Sequence, residues 1–482
     1  MKLSNLIDCD SDLDILYLSE DSCDIKDNTL FFALKGANFD AHTIIDEVIK
    51  KGAICIVHTD DIFNKQEGIY YYQVKDINKE MALISAKFYD NPSSKLNLIG
   101  VTGTNGKTTI GWVLKELLNQ LSSCGYIGTI DVEYGDKVFH NHYTTPKSLE
   151  LNKYFNDMVN DNINYCALEV SSHALALKRS YGLLFKYAIM TNLTFEHVNF
   201  HGSMGKYQEA KRILFENLNS DNIAILNKDD ATYQDYAENT NAKVISYGIN
   251  NDADVMAKDI KLSKDGTSFT LKIFDSEVLI ETNMVALFNV YNLLPVLIVL
   301  YCEGFAFEDV RPLLKNIKFP TGRVQSIDYG QSFNVIVDYA HTPDGFEKVF
   351  EYAKAIAKKR IIAIFGSAGG DRDREKRPVL GEIADKYCDL IILTLEDPRT
   401  EKVSDINNMI KKGISNTEVI EIEDRPSAIK YALKHANKDD TVLVLAKADD
   451  DYNAIGNDYV YYEGDINIVT RILKEMQAHG IK

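Results

Sequence analysis

The sequence predicts an α/β protein of three domains, and three observations carry that expectation. The 482 residues are too many for a single hydrophobic core. Short apolar strands alternate with amphipathic helices through most of the chain, the order that produces parallel sheets covered by helices. Two irregular segments, Asp90-Asn91-Pro92-Ser93-Ser94 and Lys318-Phe319-Pro320-Thr321-Gly322-Arg323, read as hinges that divide it into residues 1–95, 96–320 and 321–482.

In the first unit Leu30-Phe31-Phe32-Ala33-Leu34 and Ile54-Cys55-Ile56-Val57 are strands by their continuous apolar content. The second unit opens on Leu98-Ile99-Gly100-Val101, which runs into Thr102-Gly103-Thr104-Asn105-Gly106-Lys107-Thr108-Thr109. A helix follows, with Ile110, Val113, Leu114, Leu117, Leu118 and Leu121 on one face. Glycines in such a loop let backbone N–H groups close on phosphate oxygens, and the new helix directs its positive end at them. Lys107 can reach the outer phosphates and the Thr108 hydroxyl can ligate Mg²⁺, so residues 103–109 form an ATP site. Val101 stands where the strict pattern has its first glycine, which makes this a variant phosphate loop. The alternation then repeats. Tyr165-Cys166-Ala167-Leu168 ends at Glu169, Ala188-Ile189-Met190 at Thr191-Asn192, and Ile223-Ala224-Ile225-Leu226 at Asn227. In the third unit it returns at residues 335–337, 360–365, 390–393 and 441–445. Sheets of this kind gather ligands at the carboxyl ends of their strands.

Composition narrows the class. Hydrophobic residues make up 45% and charged residues 26%, ordinary for a folded protein in water. No run of about 18 apolar residues occurs, so no membrane span is expected. Met1-Lys2-Leu3-Ser4-Asn5 soon meets Asp8, Asp10 and Asp12, which fits no secretory signal. The seven cysteines are scattered and never spaced C-x-x-C, as expected of reduced thiols in a cytoplasm without a zinc or disulfide framework. A formal charge of −18 argues against a nucleic-acid surface.

Three segments add candidate chemistry. Glu169-Val170-Ser171-Ser172-His173 puts a carboxylate at a strand end beside the phosphate loop, where it could hold Mg²⁺. The loop from Thr191 to Gly202 crowds His197, His201 and Glu196 onto the same sheet edge. Lys211 sits in the amphipathic helix Tyr207-Gln208-Glu209-Ala210-Lys211-Arg212-Ile213-Leu214-Phe215. Taken singly, these are an ordinary strand-end carboxylate, a hydrogen-bonded histidine and a solvated cation.

Together they stand in the order and spacing of the Mur ligases. So do Phe288-Asn289-Val290-Tyr291-Asn292, Val337-Asp338-Tyr339-Ala340-His341-Thr342-Pro343-Asp344 and Gly370-Asp371-Arg372-Asp373-Arg374-Glu375-Lys376-Arg377-Pro378. The chain resembles that family over nearly its whole length. Within the family it is most similar to the UDP-N-acetylmuramoyl-tripeptide synthetases, which add the third residue of the peptidoglycan stem peptide. The resemblance implies a mixed α/β uridine-nucleotide domain, a central phosphate-loop ATPase domain with a parallel sheet, and a C-terminal Rossmann-like domain. It also implies an ATP- and Mg²⁺-dependent ligase that joins a diamino acid to a UDP-N-acetylmuramoyl dipeptide through an acyl phosphate. Such an enzyme works in the cytoplasm, here expected as a monomer.

Residue roles follow from the same resemblance. Lys107, Glu169, His197 and Lys211 are the catalytic set, and Thr108, Glu169, His197 and Lys211, as a CO₂-derived carbamate, are the metal set. Asn289 and Asn292 meet adenine, while Arg323, Asp338 and His341 close over the nucleotide from the third domain. Ser22, Thr144, Thr145, Ser171 and Arg179 touch the UDP substrate, although the family usually has arginine where Cys23 stands. Arg377, Asp397, Arg399, Asp449 and Asp450 form the amino-acid pocket. Diaminopimelate enzymes usually carry Asp-Asn-Pro-Arg where this chain has Glu396-Asp397-Pro398-Arg399, and Gly-Lys-Gly-His-Glu where it has Ala446-Lys447-Ala448-Asp449-Asp450. The acidic replacements favour L-lysine, whose terminal ammonium they could face, over meso-diaminopimelate. Folate polyglutamate synthetases share the central domain but lack the first domain and the segment around Arg372. Cyanophycin-type synthetases are longer. A non-catalytic nucleotide-binding scaffold is the alternative of a different class.

Overall fold

Strands Tyr17–Ser19, Thr29–Phe32, Ala53–His58 and Tyr70–Gln73 form a parallel sheet in that order at the N-terminal end of the chain. The computed structural model describes residues 1–36, 39–141, 143–370 and 372–479. Thr29–Phe32 is buried on both faces, as its unbroken apolar run requires, with helix Ile77–Phe88 packed through Met81 and Ile84.

The central sheet has eleven strands. From Val255–Leu262 through Lys243–Gly248, Ile223–Asn227, Tyr187–Met190, Asn97–Thr102 and Tyr165–Glu169 to Cys124–Ile127, the neighbours run parallel. Antiparallel hairpins extend both edges, Thr267–Ile273 with Ser276–Thr282 on one side and Asp131–Tyr134 with Lys137–His140 on the other. The expected parallel sheet is therefore the middle of a larger mixed one. Helices Lys107–Leu121 and Leu287–Cys302 share one core with it. Asn97–Thr102 lies near the centre of the sheet, so its carboxyl end opens between flanking strand ends, and the phosphate loop sits there.

The third sheet runs Gln325–Ser326, Asn334–Asp338, Thr441–Leu445, Ile361–Phe365, Leu390–Leu393 and Glu418–Glu421, parallel except for the first pair. A hairpin, Tyr452–Ile455 with Asp458–Tyr461, stands outside it and bridges to Arg399. The loops that leave Leu390–Leu393 and Thr441–Leu445 start from strands separated by Ile361–Phe365 alone, which brings them to one face. Among the described residues, no helix is long and apolar enough to cross a membrane.

Candidate active site

The phosphate loop owes its path to two glycines. Gly103 has φ +141°, and a Cβ there would lie 1.7 Å from Thr191 Oγ1. Gly106 has φ +91°, and its Cβ would meet Asn292 Oδ1 at 2.5 Å. Helix Lys107–Leu121 starts directly after it. Lys107 Nζ donates to the carbonyls of Gly103 (2.9 Å) and Thr104 (2.8 Å), so the ammonium is folded back over its own loop.

Glu169, at the end of the adjacent strand, is fully buried and saturated with donors. It accepts from the Thr108 hydroxyl at 3.0 Å, the Tyr126 hydroxyl at 2.5 Å, and both the N–H (3.1 Å) and hydroxyl (3.2 Å) of Thr129. Thr108 and Glu169, two members of the expected metal set, thus touch directly. Their oxygen donors suit a hard cation such as Mg²⁺.

His197 stands in left-handed backbone, φ 56°, at the start of helix Val198–His201, and its Nε2 lies 3.5 Å from Glu196. The other oxygen of Glu196 lies 3.4 Å from Nε2 of His341, in the loop that follows strand Asn334–Asp338 of the third domain. Burial pushes His197 down to about 3, leaving a neutral imidazole able to offer a lone pair. Lys211 is 1% exposed, and its Nζ donates at 2.8 Å to the same Gly103 carbonyl that Lys107 uses. Burial and the neighbouring Lys107 hold its pKa far below the ordinary lysine range. Sequence reasoning noted Glu196 without giving it a role, and it passed over Tyr126 and Thr129.

A cavity of about 90 Å³ opens between the central and third domains. Asn105, Gly106, Thr109, Asn289, Asn292, Arg323, Asp338 and His341 line it, whereas Gly103, Thr104, Lys107 and Thr108 of the expected nucleotide set do not. Asn292 donates to Asn289 at 3.0 Å, as their three-residue helical spacing requires. Asp338 spends both carboxylate oxygens on backbone, accepting from Val324 N–H (2.6 Å) and Ala340 N–H (2.7 Å). Arg323 reaches to 3.5 Å from the Thr108 hydroxyl. A larger cleft of about 700 Å³ adjoins it, with Phe288, Tyr291 and Tyr352 as apolar wall.

Toward the first domain, Thr145 is buried and donates to the Glu169 carbonyl at 2.8 Å. Thr145 Oγ1 accepts from Ser171 N–H at 3.0 Å, and Arg179 donates to the Thr145 carbonyl at 2.9 Å. Thr144 pairs with the Thr129 hydroxyl at 3.1 Å. These four cluster, and Lys147 bridges the cluster to Glu20 of the first sheet's loop at 3.0 Å, two residues from Ser22. At that turn Lys51 donates to the Ser22 carbonyl at 2.9 Å and supplies a cation beside Cys23.

The amino-acid set divides. Asp397, Arg399 and Asp450 line a cavity of about 110 Å³ with Glu196, His197, Arg372, Lys376, Glu396 and Lys447. Arg377 does not. It is fully buried, with its two terminal nitrogens on Glu401 at 3.0 and 2.9 Å and one of them also on the Ala368 carbonyl, so it braces helix Lys376–Tyr387 instead. Asp449 is exposed beside Gly322 and Arg323, outside the cavity. Lys447 Nζ, 2.9 Å from Asp397 and 3.6 Å from Asp450, already faces the carboxylates expected for a substrate ammonium. Burial still pushes Asp450 up to about 7. Asp371, part of the motif around Arg372, lies outside the described residues.

Comparison with known proteins agrees with this geometry. Residues 101–300 match the Mur ligase middle domain, and residues 322–448 match the Mur ligase glutamate ligase domain. The UDP-N-acetylmuramoyl-L-alanyl-D-glutamate–2,6-diaminopimelate ligase 1 of Clostridium acetobutylicum is 39% identical over 474 residues, 98% of this chain and 97% of its own. Its counterpart from Caldanaerobacter subterraneus is 40% identical over 468 residues, 96% of each. A solved 2,6-diaminopimelate ligase superposes with TM-score 0.71 at 26% identity over 99% of both chains. The MurF ligase of Thermotoga maritima in complex with ADP superposes with TM-score 0.67 at 20% identity, over 96% of this chain and 98% of that one, a likeness of fold. On these matches, the chain belongs to the Mur ligase family and is an ATP-dependent, ADP-forming peptide ligase.

Proposed function

We propose that this ligase extends a UDP-N-acetylmuramoyl-L-alanyl-D-glutamate by one diamino acid, and that the diamino acid is 2,6-diaminopimelate. The observation that carries the reading is the cavity in which Glu196 and His197 of the central domain meet Arg372, Lys376 and Arg399 of the third, with the Thr108–Glu169 pair at the phosphate loop. ATP binds between the central and third domains. Lys107 turns from its own loop carbonyls to the outer phosphates, and Arg323 adds charge from the facing domain. The dipeptide carboxylate attacks the γ-phosphorus, and the bond to the ADP oxygen breaks. The amine then attacks the acyl phosphate carbonyl, loses a proton, and phosphate departs. Thr108, Glu169, His197 and a carbamylated Lys211 would hold Mg²⁺, which would supply charge neutralisation for the transferring phosphoryl group.

The fate of Lys211 follows from its surroundings. Two lysine nitrogens share the Gly103 carbonyl, and burial, with Lys107 beside it, favours the uncharged amine of Lys211. An uncharged amine is the form that adds CO₂, and the resulting carbamate would place a metal-binding anion beside Lys107. Thr144, Thr145, Ser171 and Arg179, with Ser22 across the domain boundary, would take the UDP-muramoyl dipeptide. The place of work is the cytoplasm.

Diaminopimelate is favoured by the relatives' substrate and by three cations of the cavity. Among the described residues, Arg372, Lys376 and Arg399 form no ion pair with a carboxylate. L-Lysine is the second reading, favoured by Asp397 where diaminopimelate enzymes carry asparagine. Phosphate release by the purified protein, measured with 2,6-diaminopimelate, L-lysine and L-ornithine, tests both. Release should need ATP, the dipeptide and a diamino acid together. Release indifferent to the dipeptide would overturn the proposal.

A further inference from the structure

Lys447 is 1% exposed and lies between two alanines in left-handed backbone, Ala446 at φ 89° and Ala448 at φ 50°. Its Nζ is 2.9 Å from Asp397 Oδ1 and 3.6 Å from Asp450 Oδ2, with the rings of Tyr452 and Tyr462 at 5.3 and 5.7 Å. Two carboxylates and two aromatic rings are what an alkylammonium needs when it leaves water. A lysine substrate would need such a place for its own side chain. Here the chain's own lysine fills it.

A second donor on the same oxygen of Asp397 reinforces this. Asp397 Oδ1 also accepts the Ala454 N–H at 2.9 Å, so the carboxylate is fixed between its own loop, Lys447 and the outer hairpin. The cavity is also lined by Arg372, Lys376 and Arg399, which form no ion pair with a carboxylate among the described residues, and by the carboxylates of Glu196, Asp373 and Glu396. A ligand ending in a carboxylate gains from these cations, whereas one ending in a bare ammonium meets them and finds the acidic pair taken.

We propose that Lys447 is a specificity-determining residue: a resident ammonium that fills the acidic pair of the amino-acid cavity and selects substrates whose distal end carries a carboxylate. The inference rests on the reading of this cavity as the amino-acid site and deepens it.

The test is the ratio of kcat/KM for 2,6-diaminopimelate to that for L-lysine, measured on the full chain. K447M uncovers Asp397 and Asp450. It should lower the ratio by about tenfold or more, chiefly through a higher KM for diaminopimelate and a lower one for lysine. The uncharged set K447Q/D397N/D450N leaves no buried charge unpaired, and it should return the ratio to within about threefold of the parent. K447R should keep the parent's preference. A parent enzyme that prefers lysine would overturn the substrate reading above. A parent that prefers diaminopimelate, with K447M reducing both substrates equally, would overturn the role of Lys447 alone. Should K447M fail to fold, a triple variant whose ratio stays far from the parent's would overturn it too.

Discussion

Arg425 ties together the two loops of the amino-acid cavity, and R425K should separate their positioning from their chemistry. The guanidinium is 1% exposed and grips Asp465, itself fully buried, through Nε at 2.7 Å and a terminal nitrogen at 2.6 Å. The same side chain donates to the Leu445 carbonyl at 2.6 Å and the Leu395 carbonyl at 3.3 Å. Those carbonyls immediately precede residues 446–450 and 396–399. A lysine ammonium is one point with three donors, so it can keep Asp465 but cannot fork to both carbonyls. Hydrogen bonds from charged donors are worth about 1.5–3 kcal/mol, and the 3.3 Å contact lies at the weak end, so R425K should cost about 2–4 kcal/mol locally. If about 1.4 kcal/mol of that is expressed in the cavity, the KM for the amino acid rises about tenfold. The KM for ATP should stay within about threefold, because its residues lean on Asp338 and the central domain. Phosphate release gives the three KM values, and hydrogen exchange over residues 394–399 and 446–451 gives the loosening. An equal rise in all three KM values, or unchanged exchange in both loops, would refute the strut.

Three other perturbations test separate parts of the site and fold. G106A forces a side chain onto φ +91° and into Asn292 Oδ1, so titration calorimetry should find ATP affinity about tenfold or more weaker; parental affinity would mean that Asn292 yields freely. K211A should lower turnover by about a hundredfold or more, and ¹³C-bicarbonate should give the parent, not the variant, a carbamate carbon resonance. Absence of that resonance from an active parent would rule the carbamate out. Burial works against Asp385, yet hydrogen bonds from Thr417, Asn416 and Ser415 outweigh it and bring its carboxyl down to about 2. Because the folded value lies below the unfolded one, its stabilisation is present above about pH 4 and is lost as pH falls through about 2. D385A should therefore cost about 1 kcal/mol in urea unfolding at pH 7, with the difference shrinking in acid; a pH-independent difference would contradict this.

What could be read from sequence was local. The phosphate loop announces itself because a glycine-bounded tip between an apolar strand and an amphipathic helix has few other uses, and Glu169 because its strand is buried to the last residue. Edge hairpins escaped notice although Thr267–Ile273 alternates buried and half-buried residues with period two. Side-chain direction within a motif was not legible. Arg372 and Lys376 face the cavity while Arg377 turns to Glu401, and nothing in the segment distinguishes them. The same holds for pairs distant in sequence. Lys447 and Asp397 are 50 residues apart, and Arg425 and Asp465 are 40 apart, so folding alone joins them. That is why the acidic residues read as a free ammonium site: their cation was in plain view but its position was not.

Several contacts between the third domain and the central one are made by side chains of the site itself, beside the apolar packing of Val285 and Phe288 on the third domain's core. Asn105 of the phosphate loop donates to Asp344 at 2.7 Å, Arg323 stands 3.5 Å from Thr108, and Glu196 stands 3.4 Å from His341. Whatever binds Thr108 or Glu196 must therefore compete with a domain contact or join it. A cation on Glu196 competes with the His341 contact, and a phosphate oxygen near Thr108 gains the guanidinium already aimed there. Binding and closure then share one free energy, because a ligand shifts the domain equilibrium only by what it gains in the closed arrangement over the open one. An acyl phosphate needs that coupling more than most intermediates do, since water reaching it would spend ATP without forming an amide bond. Placing the closing contacts on the phosphate loop and the Glu196 cluster makes access to water depend on occupancy of the site.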